Sequence, residues 1–375
     1  MTLLDILPSL RHAARPRLDP ALWPITTHTD DEGRLCVGGT ALTEVADEFG
    51  TPAYVVDEDD FRHRARRHRK MVTDIEVVYA AKALLTTRVA GWAADEGLGV
   101  AVCTAGELAT ALAGGVDPAR IVLHGAAKTP DELRNAVAAG VGRIVLGSLA
   151  EIAYLGGLAA RRQRVLLRCD QDDPAEAVRR ILHAPNLDLV GLQCDAEAAG
   201  QAIAAMADIR NHERVLLCEL NLGEPGPDLG SLDDAVDAAC AAERFPRPRV
   251  VIEPGWAISA QAGVSLYRVC GLETRPDGRT VVVVDGGSSE VPGCGATLAN
   301  RHALGPTRMV TVAGRCGDEL IRSVELPADV HPGDLLAVPS TGLAGRPAVV
   351  SVRHGRARGL VRRETTADLL ARDMG

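Results

Sequence analysis

Lysine is nearly absent from this sequence. Of the 41 lysine and arginine residues among 375, only Lys70, Lys82 and Lys128 are lysines. Arginine stands wherever a positive charge is sufficient, so each remaining lysine is a candidate for chemistry that a guanidinium group cannot perform. A lysine amine can lose its proton and condense with a carbonyl, whereas arginine stays protonated. In the stretch EVVYAAKALL, Lys82 stands at the end of the apolar, strand-like part. This position alone fits a surface lysine equally well.

Long apolar runs, paired cysteines and excess positive charge are absent too. No segment approaches the roughly 18 apolar residues of a membrane span, and the N-terminal stretch, which contains Asp5 and Pro8, does not resemble a signal peptide. The nine cysteines form no CxxC pair, which favours reduced thiols in a cytoplasmic protein over disulfides or a zinc site. The net charge of −9 argues against nucleic acid or a membrane as partner. We therefore expect a small-molecule substrate and no metal.

Eight short β-rich runs alternate with alanine-rich helical runs between residues 75 and 255. The strand candidates are IEVVYAA, LGVAVC, RIVLHG, RIVLGS, RVLLRC, LDLVGL, RVLLCELNL and RVVIEPG. The segments between them, such as PDELRNAVAAG, repeat apolar residues at helical spacing. Eight consecutive βα units predict an α/β fold, a (β/α)8 TIM barrel with its active site at the carboxyl ends of the strands.

The pattern changes after about residue 264. Closely spaced β-runs separated by turn residues, among them TVVVVDGG and AVVSVR, predict a C-terminal antiparallel β domain. The strand-like GRLCVGG near residues 33 to 39 precedes the barrel. We therefore expect residues 1–45 to join the β domain, residues 46–263 to form the barrel, and residues 264–375 to form the β domain itself.

Polar residues and glycines follow five of the predicted strands. The first ends at Lys82, the third at His124, the fifth at Arg168, the seventh at Asn221 and Gly223, and the eighth at Glu253 and Gly255. In such barrels the loops after strands seven and eight frequently hold a phosphate through backbone N–H groups. Here these loops are NLGEPGPDLG, which includes Gly226, and EPGW.

A buried lysine opposite a phosphate site, with a carboxylate between them, is the arrangement expected for pyridoxal 5'-phosphate (PLP). Lys82 would attach the cofactor covalently, the glycines would hold its phosphate, and Glu253 would keep the pyridine nitrogen protonated so that the ring accepts electrons.

These motifs, in this order, resemble the fold-type III PLP-dependent decarboxylases, a group with an alanine racemase-like fold that includes the diaminopimelate, ornithine and arginine decarboxylases. The layout is most similar to that of the diaminopimelate decarboxylases. YAAKA, AVCTAGEL, HGAAK and EPG are similar to four motifs of this family. The resemblance implies that Lys82 is catalytic. It also implies that PLP is bound by Lys82 together with His124, Gly223, Gly226, Glu253 and Gly255. Lys128 is implied to line the site.

GRCGDEL resembles a shortened form of the family's CESGD motif, whose cysteine reaches the active site of the partner subunit. The resemblance therefore implies a homodimer with shared active sites. In it, Cys316 would be the catalytic proton donor to the substrate carbon, and Asp318 would be the matching acid near the substrate.

Several positions depart from the family pattern. Asp195 stands where the family has a histidine that stacks on the cofactor, and Trp256 replaces the arginine of EPGR; both become candidate substrate contacts. Glu224 and Pro225 interrupt the glycine loop, which should weaken phosphate binding. The GAY tyrosine is replaced by Leu343 or Ala344, and the interval from Arg168 to Gly191 is short.

Two functions from different classes remain open. The first is PLP-dependent decarboxylation of an amino acid, similar to diaminopimelate decarboxylase but with altered specificity. The second is a catalytically degenerate homologue that binds or regulates an active relative. The retained Lys82, Glu253 and Cys316 favour the first function. Other PLP chemistry on the same scaffold, such as racemisation, is a further possibility.

Overall fold

A computed structural model describes residues 18–71, 75–159, 161–170, 174–226, 228–287, 295–302, 306–340 and 347–374. The chain divides into two compact units. One combines the chain up to His63 with the chain from Ile258 onward, and the other runs from Arg64 to Ala257.

From residue 18 onward, the N-terminal part of the first unit contains four short strands and two helices. They are His28–Thr29 (β1), Leu35–Val37 (β2), Thr40–Ala41 (β3), Leu42–Phe49 (α1), Ala53–Asp57 (β4) and Glu58–Met71 (α2), the last of which continues into the second unit. Strands β1, β2 and β3 form a small antiparallel sheet.

Eight parallel strands close a barrel in the second unit, which confirms the predicted fold class. They are Ile75–Ala80 (β5), Gly99–Val102 (β6), Ile121–Leu123 (β7), Arg143–Leu146 (β8), Gln163–Arg168 (β9), Leu187–Gln193 (β10), Glu219–Asn221 (β11) and Arg249–Ile252 (β12). Each strand pairs with the next along the chain, and β12 pairs with β5 to close the ring. All eight coincide with predicted strand runs.

A helix follows each barrel strand. The helices are Thr87–Asp95 (α3), Ala105–Ala113 (α4), Pro130–Ala139 (α5), Leu149–Leu158 (α6), Pro174–His183 (α7), Ala199–Glu213 (α8), Leu229–Ala242 (α9) and Trp256–Ser259 (α10). Five of them begin at a side chain that accepts a backbone N–H of the first turn: Thr86, Thr104, Thr129, Ser148 and Asp228. Such caps satisfy N–H groups that the helix itself leaves unpaired.

The C-terminal part of the first unit is mainly β-structure. Its elements are Gly263–Thr274 (β13), Thr280–Val284 (β14), Thr297–Leu298 (β15), Thr307–Gly314 (β16), Glu319–Pro327 (β17), Leu335–Pro339 (β18), Ala348–Arg353 (β19), Arg356–Val361 (β20) and Thr366–Ala371 (α11). The main sheet has the order β17-β16-β14-β13-β4-β19-β20, and β18 pairs with β13 and β15.

The structure differs from the sequence-based expectation in two details of this unit. The sheet is not wholly antiparallel, because β14 pairs with β16 and β4 pairs with β19 in parallel. Neither pair is joined by a tight turn, so no hairpin imposes an antiparallel direction. The chain also passes between units at residues 63/64 and 257/258 rather than at 45/46 and 263/264. The reason is that β4 pairs with both β13 and β19.

None of the helices among the described residues combines the length and apolar character that a membrane span requires. Nor do His, Cys, Asp and Glu side chains in the described part of the chain gather into a group suited to a metal ion.

Candidate active site at the carboxyl ends of the barrel strands

Side chains from strands that are not neighbours meet inside the barrel, at the amino ends of the strands. Arg143 on β8 is only 3% exposed and donates to Glu76 on β5 at 2.6 Å and to Glu219 on β11 at 2.7 Å. Arg249 also pairs with Glu219. Since β5, β8 and β11 are not adjacent in the sheet, these groups meet across the barrel interior. The amino-terminal end of the barrel therefore holds a network of ion pairs, whose role we interpret as stabilisation of the fold.

An apolar cluster follows along the strands. Its members are Val78, Ala101, Val122, Val145, Leu166 and Val251. Side chains alternate along a strand, so positions two residues further on return to the same side. Those positions include Ala80, Cys103, His124, Arg168 and Glu253. The strand period itself therefore places polar groups at the carboxyl end of the barrel, above an apolar floor.

Glu253 is the buried centre of this upper layer, with a side chain 8% exposed. His124 Nε2 and Asn221 Nδ2 each donate to Glu253 Oε1 at 2.6 Å. Burial alone would raise the pKa of Glu253, but the charge and hydrogen bond of His124 and the hydrogen bond of Asn221 outweigh it, so this pKa lies below its ordinary value. The carboxyl group is therefore ionised at neutral pH. Within the described residues no hydrogen bond reaches Oε2, which leaves one oxygen to accept from a ligand.

Lys82 lies on a 3-10 turn, Ala81–Ala83, directly after β5. Ala81 and Ala83 are buried but Lys82 is exposed, so the expectation of a buried lysine is wrong for this structure. The reason is local: the two flanking alanines occupy the inward positions of the turn, and the lysine between them is left outward. Its amine is thus accessible at the carboxyl end of the barrel.

The lysine turn packs against the turn that follows β12. Ala80 N donates to Pro254 O at 3.2 Å. A Cβ atom at Gly255 would lie 3.0 Å from the Cβ atoms of both Ala80 and Ala83, tighter than ordinary contact. Only glycine fits without displacing the turn that carries Lys82. The structure thereby brings Lys82, Glu253 and Gly255, all predicted from sequence, into one region.

The turn after β12 presents two backbone N–H groups to a carboxylate. Gly255 N and Trp256 N donate to Glu224 Oε1 at 3.1 and 2.9 Å. Gly223, with φ of +60°, supports this loop through its carbonyl, which accepts from Glu253 N at 2.6 Å. The N–H pair thus binds an anionic group supplied by the chain itself. That Glu224 opposes phosphate binding stays a prediction.

A cavity of about 410 Å³ opens beside His124. Its lining includes His124, Arg168, Gln193 and Asp195, and its size suits a small polar ligand. Asp195 is exposed at the start of a 3-10 turn, where its side chain is free to face a ligand. Sequence reasoning did not include Gln193; the only signal for it was its place at the end of a predicted strand.

Lys128 is a support of the site rather than a part of the cavity lining. Its Nζ donates to Gly125 O at 2.9 Å and to Glu151 Oε2 at 3.3 Å, and its side chain is buried. Burial lowers the pKa of Lys128, while the Glu151 carboxylate opposes that shift. Glu151 also accepts from Gly147 N. The pair therefore ties the loop after β7 to the loop after β8, a role that the sequence did not reveal.

The other predicted residues lie outside this constellation. Gly226 is exposed, and a Cβ atom there would meet nothing within 4 Å. Trp256 is half-buried and does not line the cavity. Cys316 and Asp318 are exposed in the turn between β16 and β17, in the other unit. Leu343 and Ala344 fall outside the described residues.

Comparisons with known proteins agree on one family. Residues 58–210 match the model for the pyridoxal-binding domain of pyridoxal-dependent decarboxylases. Diaminopimelate decarboxylase of Actinosynnema pretiosum subsp. auranticum is 41% identical, with both chains fully covered. The same enzyme of Mycobacterium tuberculosis is 34% identical over 94% of this chain and 98% of its own. The structure of diaminopimelate decarboxylase from M. jannaschii aligns with a TM-score of 0.81 at 22% identity, over 94% of this chain and 98% of that one, which shows the fold alone.

Proposed function

The chain belongs to the family of pyridoxal-dependent decarboxylases, and on this premise we propose that it acts on an amino acid of the diaminopimelate type, with Lys82 as the residue that attaches the cofactor. It is a PLP-dependent amino-acid decarboxylase, because relatives 41% and 34% identical along nearly all of its length carry that activity in their names. These relatives do not favour the alternative of a degenerate binding partner. The observation that best supports the proposed roles is the ionised Glu253 beside the turn that carries Lys82.

The residues present fit PLP. When bound, PLP supplies an electron-accepting ring that lets the substrate carboxylate leave as CO2. The free Oε2 of Glu253 suits a protonated ring nitrogen, and the N–H groups of Gly255 and Trp256 suit a phosphate once Glu224 has moved. The exposed amine of Lys82 stands at the end of the neighbouring strand. This donor set matches the three ends of the cofactor.

The residues of the chain have the following proposed roles. Lys82 would hold the cofactor through its side-chain amine. Glu253 keeps a proton at the ring nitrogen, and His124 and Asn221 hold its carboxylate in position and ionised. Arg168 and Asp195, at the cavity, are placed to meet the charged ends of an amino acid. Asp195 replaces the histidine of the family pattern, so the contact that this histidine makes with the cofactor ring would be absent here.

The remaining proposals extend the family resemblance. We propose a homodimer in which Cys316 of one subunit protonates the substrate carbon in the other subunit's site and Asp318 assists. The exposure of this turn leaves both side chains accessible to a partner. A cytoplasmic location follows from the same resemblance and from the unpaired thiols.

The direct test measures CO2 release by the purified protein with added PLP. The substrates are meso-diaminopimelate, L-lysine, L-ornithine and L-arginine. We expect release from diaminopimelate alone, with L-lysine as product. Lys82→Ala should abolish both the release and the fixation of the cofactor by borohydride, whereas Lys70→Ala, which changes an exposed lysine in α2, should retain both. Exchange of the α-proton without CO2 release would indicate racemisation instead, and release from another substrate would overturn the proposed specificity.

A further inference from the structure

Two cysteines face each other at the carboxyl ends of neighbouring barrel strands. Arg168 of β9 lies opposite Gln193 of β10, and Cys169 N donates to Gln193 O at 2.9 Å. Cys169 and Cys194 directly follow this last pair of the ladder, so the parallel register, continued by one residue, sets them opposite each other. Residues opposite one another in a sheet point to the same face, and neighbouring strands lie about 4.8 Å apart.

This spacing suits a disulfide. Bridged cysteines have Cα atoms about 4.4–6.8 Å apart, a range that includes the strand separation. Both thiols are free here. A bond between them therefore requires rotation of the side chains but no movement of the strands.

The two thiols are also chemically unequal. The interaction between the two neighbouring side chains lowers the pKa of Cys169, and the same interaction together with burial raises the pKa of Cys194. Cys169 is half-buried whereas Cys194 is only 6% exposed, and both line the cavity beside His124. Cys169 is thus the more reactive and more accessible thiol, and Cys194 is placed to react with it next.

We propose that Cys169 and Cys194 form a reversible dithiol–disulfide site that hydrogen peroxide oxidises. Cys169 releases its proton, and the thiolate attacks one peroxide oxygen. The O–O bond breaks to give a sulfenic acid and a hydroxide, and this hydroxide takes up the released proton to form the first water. The Cys194 sulfur then attacks the Cys169 sulfur, the S–O bond breaks and the S–S bond forms. The departing hydroxide takes the Cys194 proton, so two thiols and one peroxide yield one disulfide and two waters.

Cys103 provides the matched control. It lines the same cavity, but it follows β6, which is separated from β9 by two strands. Burial, followed by the charges of Glu107 and Glu253, raises the pKa of the Cys103 thiol. It should therefore neither react first nor reach Cys169.

The test exposes the reduced full-length protein briefly to hydrogen peroxide near equimolar amounts, alkylates the remaining thiols and maps peptides without reduction. We expect a cross-linked peptide joining Cys169 to Cys194, lighter by two hydrogens than its parts, the loss of two alkylatable thiols, and full recovery with dithiothreitol. Cys103→Ser should leave the cross-link unchanged. In Cys194→Ser the cross-link should vanish, and Cys169 should be trapped by dimedone as a sulfenic acid.

Two results would overturn the proposal. In the first, Cys169 and Cys194 stay alkylatable while the exposed Cys218, Cys270 or Cys316 is oxidised. In the second, Cys169 couples to Cys103. Both are read from the wild-type peptide map, so the proposal stays testable even if a variant fails to fold.

Discussion

Replacing Glu224 with alanine is expected to tighten PLP binding. In the structure its carboxylate accepts hydrogen bonds from the N–H groups of Gly255 and Trp256, which we propose as donors to the cofactor phosphate. A hydrogen bond to a charged group is worth about 1.5–3 kcal/mol. Two unit charges 4 Å apart repel by about 1 kcal/mol in water and about 4 kcal/mol near a protein surface. Glu224 is only half-buried, so we expect its removal to improve the binding free energy of PLP by about 1–3 kcal/mol, the lower part of these values. That gain corresponds to a roughly 5- to 150-fold lower Kd.

The assay is an equilibrium titration of the cofactor-free protein with PLP, followed by visible absorbance. Glu224→Gln should fall between wild type and Glu224→Ala, because it removes the charge but keeps an acceptor for the two N–H groups. Glu243→Gln, which neutralises an exposed carboxylate at the end of α9, should leave the Kd unchanged. A Kd for Glu224→Ala equal to or weaker than that of the wild type would refute the reasoning, since Glu224 would then order the loop rather than compete with phosphate.

Three other predictions concern stability. Arg143→Met should lower the free energy of unfolding in urea by about 3 kcal/mol, because it removes the buried partner that Glu76 and Glu219 share and leaves them only the half-exposed Arg249 and Arg164. The exposed Arg134→Met should lower it by less than about 1 kcal/mol, and equal losses would contradict this reasoning. The ionised Glu253 should stabilise the fold fully above its unfolded pKa of about 4.3 and lose that effect as pH falls through its lower folded pKa. In urea unfolding, the free energy of unfolding of the wild type should therefore exceed that of Glu253→Gln by less at pH 3 than at pH 6. A difference that stays constant over this pH range would contradict the lowered pKa. Gly255→Ala should lower the free energy of unfolding, measured by thermal unfolding, by about 1–3 kcal/mol, because the new Cβ atom crowds Ala80 and Ala83. Gly226→Ala should lower it little, because a Cβ atom there has no neighbour within 4 Å. Similar losses in the two variants would show that the turn around Gly255 adjusts easily.

The barrel was predictable because each of its strands is a short β-rich run followed by a helical pattern, as in RIVLGS before α6. The side-chain period of two then accounts for part of the site. Val122 and Val251 belong to the apolar floor, so His124 and Glu253, two residues further on, reach the carboxyl end together. The strand β20 was not predicted, because its residues RARGLV are mostly exposed and carry little apolar character.

Contacts that depend on loop conformation could not be predicted in the same way. The exposure of Lys82 follows from the 3-10 turn after β5, which the run YAAKA does not reveal because alanine is tolerated in any regular structure. The bond from Trp256 N to Glu224 joins loops 32 residues apart. The family resemblance implied that Glu224 would lie near a phosphate, but the N–H groups with which it pairs are identified only by the structure.

The pairing of the two cavity thiols depends on a single irregularity. In the first part of β10, Leu189 lies opposite Val165, and this register would place Leu192 opposite Arg168. A bulge between Leu189 and Gly191 shifts the register by one residue, so Gln193 faces Arg168, and the same register continued by one residue sets Cys194 against Cys169. Gly191 permits the shift, because a Cβ atom there would lie 1.9 Å from Glu219 O. A glycine inside the apolar run LDLVGL was the available sequence signal for a bulge or a close backbone approach. One glycine therefore decides which side chain meets Cys169, and a regular β10 would have set Cys194 against a different residue.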